Sequence, residues 1–453
     1  MLPKSRRTSA SLWAAILAVG WAACAQAASP GLNNILPRGG ARGTDVEVRF
    51  IGGNLGDAVD LLFAEPGIVF KESVATANGE FKCIVTISPE CRVGRHPIWV
   101  RTASGITNPQ IFSVGSLTEV AEAEPNNDAA GAQAIAIGTT VNGVVTSEDV
   151  DYYAIELEAG AKLAAEVEAI RLGHTLFDAK LRLFSPHGHE LISEDATAAM
   201  RQDPAFVYIA EETGRYVVAV SEAAYGGNGN CEYRLHVGAF PRPLSVTPMG
   251  GAPETPIQVS WLGDPKLTPG EIVLAAQPEG TGSVLPASDT GLAPSPLAFR
   301  VSRLPGALET EPNNTPDQAT QGQAPGAFDG VISEPGDVDW YAFDGVKDQA
   351  FEVRVWAREL GSPLDSVLTV NGPDGAQLAS VDDAVGPDSL ARVTLPADGR
   401  YTIGVRDHLG KGGPTFAYRV EAAPSTQGLK FVLENNEEGG LAVPKNNRAC
   451  VLV

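Results

Sequence analysis

The chain has 453 residues, with 55 Asp and Glu against 33 Lys and Arg, for a formal charge of −22. That length is too great for one core, so several domains are expected. The acidic balance argues against nucleic acid or an anionic membrane as partner, since phosphate binding needs clustered Lys and Arg. The 49 Gly and 33 Pro mark a turn-rich chain, not a disordered one.

Residues 1–27 read as an export signal. Lys4, Arg6 and Arg7 form a basic start, Leu12 to Ala23 is a short apolar run, and Ala25-Gln26-Ala27 offers a small-residue cleavage site. The run is too short to span a bilayer comfortably, and no later stretch is long and apolar enough. A lipid anchor at Cys24 fits poorly, because Trp21 stands where such signals carry Leu. The mature chain is therefore expected to be soluble and exported: extracellular, periplasmic or at the cell surface. Four cysteines remain after cleavage, Cys83, Cys91, Cys231 and Cys450, too few and scattered for a disulfide framework. Cys83 and Cys91 either pair or stay as two separate buried thiols.

Residues 30–115 alternate short strands with turns. Asp45-Val46-Glu47-Val48-Arg49-Phe50 has the period of a half-buried strand, and Gly52-Gly53-Asn54-Leu55-Gly56 is turn chemistry. Further strands are predicted at Phe81 to Ile87 and Pro97 to Thr102. After a short acidic linker at 116–123, the unit assigned to 122–238 reads as six more strands. Residues 242–304 look like a degraded copy of the first domain: Val246-Thr247-Pro248-Met249-Gly250-Gly251 parallels Ile35-Leu36-Pro37-Arg38-Gly39-Gly40, and Ile257 to Trp261 parallels Val46 to Phe50. A unit at 309–422 repeats 122–238. Residues 423–453 begin a further β domain, with strands expected at Leu429 to Leu433 and Ala449 to Val453. The chain stops inside an apolar strand, which predicts that it is the front of a longer protein.

The repeat is carried by spaced motifs. Glu122-x-Glu124-Pro125-Asn126-Asn127 returns as Glu309-x-Glu311-Pro312-Asn313-Asn314, and Asp149-x-Asp151-Tyr152-Tyr153 as Asp337-x-Asp339-Trp340-Tyr341. Gly214-Arg215-Tyr216 and Tyr233-Arg234-Leu235 return as Gly399-Arg400-Tyr401 and Tyr418-Arg419-Val420, with equal spacing between the tyrosines. Evenly spaced short strands of this kind predict a sandwich or a jelly roll.

The acidic motifs suit a cation. Calcium takes oxygens from carboxylates, amides, backbone carbonyls and water. Glu122, Glu124, Asn126 and Asn127 supply such oxygens within one bend. Asp149 and Asp151, two apart on a strand, project from the same face. Glu309, Glu311, Asn313, Asn314, Asp337 and Asp339 repeat the set. Glu-Pro-Asn-Asn is also good turn chemistry, and the recurrence of all six oxygen-bearing positions is what favours a metal.

These motifs resemble the bacterial pre-peptidase C-terminal (PPC) domain family, related to the collagen-binding modules of clostridial collagenases. The resemblance covers residues 122–238 and 309–422. It implies a jelly-roll sandwich that binds one or two calcium ions through the acidic opening segment and the Asp-x-Asp strand, carried here by Glu122, Glu124, Asn126, Asn127, Asp149, Asp151 and their six counterparts. It implies no peptidase activity in the domain itself, and no collagen-contacting face can be matched. Residues 30–115 resemble the IPT/TIG immunoglobulin-like domain through Pro37 to Gly43, the Val46-Val48-Phe50 strand, Gly53-Asn54-Leu55 and Gly94…Gly105.

No zinc-protease helix, serine elbow or phosphate loop occurs. His187-Gly188-His189 sits in a turn filled by Asp374-Gly375-Ala376 in the other copy, so it reads as surface. The sequence thus predicts an all-β, non-catalytic adhesion or substrate-targeting protein for an extracellular polymer. The alternative is the accessory N-terminal part of a larger secreted hydrolase whose catalytic domain lies elsewhere.

Overall fold

The structure, a computed structural model, describes residues 29–383 and 386–425. The export signal, Cys24, Cys450 and the strands expected after residue 425 lie outside these. Among the described residues the chain is a tandem of β-sandwiches, and its helical pieces are three-residue 3-10 turns.

The N-terminal sandwich has two four-stranded sheets. One orders Gly31–Leu36, Asp45–Gly53, Glu80–Ile87 and Ile68–Ala77; the other orders Gly39–Ala41, Gln110–Gly115, Gly94–Thr102 and Ala58–Phe63. Strand period places the core: Val48 and Phe50 are buried while Asp45, Glu47 and Arg49 face water. Cys83 and Cys91 are both buried free thiols, and burial pushes Cys83 up to about 12, as befits an inert core residue.

The duplicated unit appears twice with one topology. In the first, Gln133–Ala134, Val150–Leu157, Gly214–Glu222, Ala179–Phe184 and Glu190–Glu194 form one sheet. Thr118–Ala121, Thr139–Val144, Glu232–Gly238, Lys162–Glu168 and Ala205–Ile209 form the other. The second unit repeats both orders with Thr320–Gln321, Val338–Gly345, Gly399–Asp407, Ser366–Asn371, Gln377–Val381, and with Gly306–Leu308, Gly326–Val331, Ala417–Pro424, Ala350–Trp356, Leu390–Thr394. Each has its own apolar core. In both, the chain entering the unit becomes an edge strand, paired in parallel with the next strand.

Between them lies a small sandwich. Two of its sheets have three strands each, Ser245–Thr247, Pro256–Leu262, Gly270–Val273, and Gly250–Gly251, Leu297–Val301, Gly280–Val284, and a two-stranded sheet pairs Ala287–Ser288 with Gly291–Leu292.

Buried ion pairs join the sandwiches. Glu232 accepts from Arg38 Nε at 2.5 Å, and Arg234 donates to the Ser113 carbonyl. Glu166 lies between Arg171 and Arg242, while Lys162 and Asp264 pair at 2.9 Å. At the last junction Arg419 donates to the Gly250 carbonyl and pairs with Asp329 at 2.6 Å, and Arg300 pairs with Glu421 at 3.1 Å.

Candidate metal centre

The Glu-Pro-Asn-Asn bend is pinned to the strand that carries the second aspartate. Tyr152 donates its backbone N–H to the Asn126 carbonyl at 3.0 Å, and Trp340 does the same to Asn313 at 3.0 Å. The arginine of each Gly-Arg-Tyr motif holds the far end of the bend: Arg215 donates to the Ala129 carbonyl and Arg400 to that of Pro316, both at 3.1 Å. The incoming strand delivers the first glutamate, whose backbone N–H bonds the carbonyl of Asn142 or Asp329 at 3.0 Å.

Glu122, Glu124 and Asp151 thereby converge, with one oxygen of each within 4.8 Å of the others; Glu309, Glu311 and Asp339 repeat the arrangement. Asn126 and Asn313 are fully buried beside them. Asn126 donates its backbone N–H to Glu124 at 3.0 Å, as Asn313 does to Glu311 at 2.9 Å.

Not all six expected positions join. Asp149 lies just before its strand and caps the preceding turn, accepting from Thr146 Oγ1 at 2.8 Å and the Val150 N–H at 3.0 Å. Asp337 does the same with Ser333 Oγ and the Val338 N–H, both at 2.9 Å. Local turn donors thus hold both aspartates outside the three-carboxylate group, despite their two-residue spacing from its members. Asn127 and Asn314 are exposed.

Sequence reasoning missed two tyrosines per site. Tyr153 donates to Glu122 at 2.8 Å and Tyr233 to Asp151 at 2.6 Å. In the second unit Tyr418 donates to Asp339 at 2.6 Å and Tyr341 lies 2.7 Å from the Tyr418 hydroxyl. The signal was present: Tyr153 is two residues from Asp151, on the same strand face, and the Tyr-Arg motif recurs. A glycine makes the approach feasible. A Cβ at Gly143 would lie 2.5 Å from the Tyr233 hydroxyl; one at Gly330 would lie 2.3 Å from Glu309 Oε2 and from the Tyr341 hydroxyl.

The tyrosines occupy one oxygen of each buried aspartate and leave the other. Asp151 Oδ1, Asn126 Oδ1, Asp339 Oδ1, Asn313 Oδ1 and Glu309 Oε2 are buried with no hydrogen-bond partner. Such acceptors cost free energy unless something positive meets them. Burial, then the charge of Glu122, raises the affinity of Asp151 for a proton. Burial and then Asp339 raise that of Glu309, and burial raises that of Asp339. A proton or a cation is what each group lacks.

The donor set is all oxygen, from carboxylates and an amide, with no sulfur or imidazole in the group. It fits a hard cation, and three carboxylates with an amide oxygen approach the six to eight oxygens that calcium takes. His187 pairs with Glu212 at the surface, at 3.2 Å, away from either group.

Residues 337–407 match the family described as the bacterial pre-peptidase C-terminal domain. The match includes Asp337, Asp339 and Tyr341 and begins after the Glu309 to Asn314 bend. A probable subtilase-type serine protease of Deinococcus radiodurans is 40% identical over 76 residues, which is 17% of this chain and 10% of that protein. The chain thus spans about a tenth of the curated relative it matches. The pre-peptidase C-terminal domain of a collagenase from Bacillus anthracis aligns over 24% of this chain and 99% of its own, at 17% identity and a TM-score of 0.20. The glucan-utilisation protein SGBP-B of Bacteroides ovatus aligns over 87% of this chain and 74% of its own, at 9% identity and a TM-score of 0.18. Within this all-β tandem, residues 337–407, in the second of the duplicated units, are similar to the bacterial pre-peptidase C-terminal domain.

Proposed function

We propose that this is an exported, non-catalytic binding or substrate-targeting protein whose two duplicated sandwiches each bind calcium. Its sandwiches occupy 30–115, 122–238, 242–304 and 309–422. In the first site Glu122, Glu124, Asp151 and the Asn126 amide oxygen hold the ion; in the second Glu309, Glu311, Asp339 and Asn313 do. Tyr153, Tyr233, Tyr341 and Tyr418 orient the carboxylates, while Asp149 and Asp337 keep the adjoining turn in place. Calcium supplies positive charge where these oxygens meet, and it joins the incoming edge strand to the sandwich it enters. The observation that carries this reading is the double occurrence of three carboxylates within 4.8 Å, beside a buried amide oxygen that nothing else satisfies.

Calorimetric titration of chelator-treated protein tests it. Calcium should bind with heat and raise the melting temperature. No binding heat together with an unchanged melting temperature refutes the reading.

A second reading is favoured by the pre-peptidase match and by the subtilase-type relative: these sandwiches are the accessory part of a longer secreted peptidase. An open reading frame encoding a catalytic triad on the same polypeptide supports it. One encoding only further sandwiches does not.

A further inference from the structure

All four sandwiches meet at one place. Met200 of the first duplicated unit lies in the core of the small sandwich, and Leu360 of the second packs with Met249 of that same sandwich. The two duplicated units touch as well: a Cβ at Gly361 would lie 2.9 Å from the Ala199 Cα. The N-terminal sandwich completes the ring, since a Cβ at Gly94 would lie 3.7 Å from Pro296 Cδ. At this meeting point stands a cavity of about 490 Å³ to which all four sandwiches contribute walls. Small-ligand sites usually have volumes of about 300–1,000 Å³.

The charge of the lining is opposite to that of the chain. Arg92 and Arg95 of the N-terminal sandwich, Arg171 and Arg201 of the first duplicated unit and Arg358 of the second face three glutamates, in a protein whose formal charge is −22. The glutamates are already engaged. Glu65 accepts from Arg92 Nε at 2.6 Å, Glu168 from Ser113 Oγ at 2.8 Å, and Glu359 from Arg354. Arg171, held by Asp203 at 2.6 Å and Glu166 at 2.9 Å, is a fixed part of the wall. Arg358 is less committed: it meets Asp365 at 3.5 Å, and its side chain is 44% exposed.

Arg201 stands where the backbone favours glycine. Its φ is 62° and its ψ −111°. It takes the first inner position of a turn that Asp203 closes, donating its N–H to the Met200 carbonyl at 3.2 Å. A side chain there costs free energy, and strain of this kind clusters where the side chain has a use. The turns that carry Arg201 and Arg358 are the two that touch through Ala199 and Gly361. The small sandwich supplies hydroxyls instead of charge. Thr281 and Ser283 are two apart on Gly280–Val284, so they share one face of that strand, and both are exposed. None of the lining residues is aromatic, so nothing there offers a neutral sugar ring a face to stack on.

We propose that this cavity binds an acidic sugar of one or two rings, its carboxylate or sulfate on Arg201 and Arg358 and its hydroxyls on Thr281 and Ser283. A planar guanidinium takes such anions by paired N–H bonds. This inference gives the binding role proposed above a ligand, and it stands apart from the calcium sites.

The test is titration calorimetry of the intact chain in calcium-free buffer, which separates its outcome from that of the calcium reading. The probes are a diuronic acid, a neutral disaccharide of the same size, and succinate. The diuronic acid should bind saturably, with an affinity that falls as salt is added. The neutral disaccharide and succinate should each bind at least about tenfold more weakly. Arg358→Gln and Arg201→Gly should each weaken the diuronic acid at least about tenfold, and Arg201→Gly should melt no lower than the parent, because glycine suits that turn. No binding of the diuronic acid, or equal affinity for the neutral disaccharide, overturns the proposal. Succinate binding as tightly as the diuronic acid overturns the assignment to a sugar. Unchanged affinity in both variants, or a lower melting temperature for Arg201→Gly, shows that the arginines serve the fold and not a ligand, and overturns it too.

Discussion

Replacing Asp339 by Asn separates calcium binding from folding by giving the two opposite signs. Without calcium, Asp339 and Glu309 are buried together, and each is held toward its protonated form. Asparagine removes one charge, keeps an acceptor for Tyr418 and presents an amide donor toward Glu309, whose Oε2 has no partner. One such bond contributes about 1 kcal/mol, so in chelator at pH 8 Asp339→Asn should melt higher than the parent. A sandwich of this size gains roughly 3–6 °C for each kcal/mol. With calcium the order reverses. Extracellular calcium modules dissociate at about 0.1–1 mM, so at about 1 mM calcium each filled site adds roughly 0.4–1.4 kcal/mol. The variant loses that increment for the second site and about half of the calcium heat. Scanning calorimetry with and without chelator, paired with titration calorimetry, reads both effects. A variant that melts lower in chelator, or that keeps the full calcium increment, refutes the reasoning.

Other consequences follow from the same geometry. The carboxyls of Asp151, Glu309 and Asp339 have folded-state pKa values raised above their unfolded ones. Such groups favour the fold below about pH 4 and lose that contribution as pH rises through their folded values. Calcium displaces those protons, so its effect on melting temperature should be larger at pH 8 than at pH 5. Gly330→Ala places a methyl against Glu309 and Tyr341; it should destabilise the second sandwich by about 1–3 kcal/mol and abolish calcium binding there, measured by urea unfolding and titration. Arg242→Met leaves Glu166 buried with one of its two arginines, and should cost about 3–5 kcal/mol in urea unfolding. Burial pushes Glu166 up, but Arg242 and Arg171 together hold it down at about 2. Its contribution is therefore present above the ordinary glutamate value and is lost only as pH falls toward 2. Between pH 8 and pH 5 the junction should thus hold while the calcium increment shrinks.

The strand plan was legible because period-two alternation and turn residues are local signals. Val48 and Phe50 inside, with Glu47 and Arg49 outside, follow from the sequence alone. The convergence of Glu122, Glu124 and Asp151 was also legible, since a motif that recurs with all its oxygens constrains its fold twice. The roles of Asp149 and Asp337 were not. Two-residue spacing places side chains on one face only where both residues belong to the strand, and these aspartates stop one residue short, where Thr146 and Ser333 offer nearer donors.

Arg234 and Arg419 show how one strand serves two purposes. On Glu232–Gly238, Tyr233, Leu235 and Val237 face the core, and the Tyr233 hydroxyl reaches Asp151. Glu232, Arg234 and His236 face the other way, yet all seven residues are buried. A strand with charges at every second position ordinarily turns them to water; here the outer face meets Arg38, Ser113 and Glu168. Ala417–Pro424 repeats the plan, with Tyr418 on Asp339 and Arg419 on Gly250 and Asp329. Buried ion pairs add little net stability compared with apolar packing, but breaking one is costly. Adjacent residues of one strand thus hold the buried aspartate of the three-carboxylate group and a carbonyl of the neighbouring sandwich, so a cation bound under the proposed function would act on the same strand that contacts the neighbour.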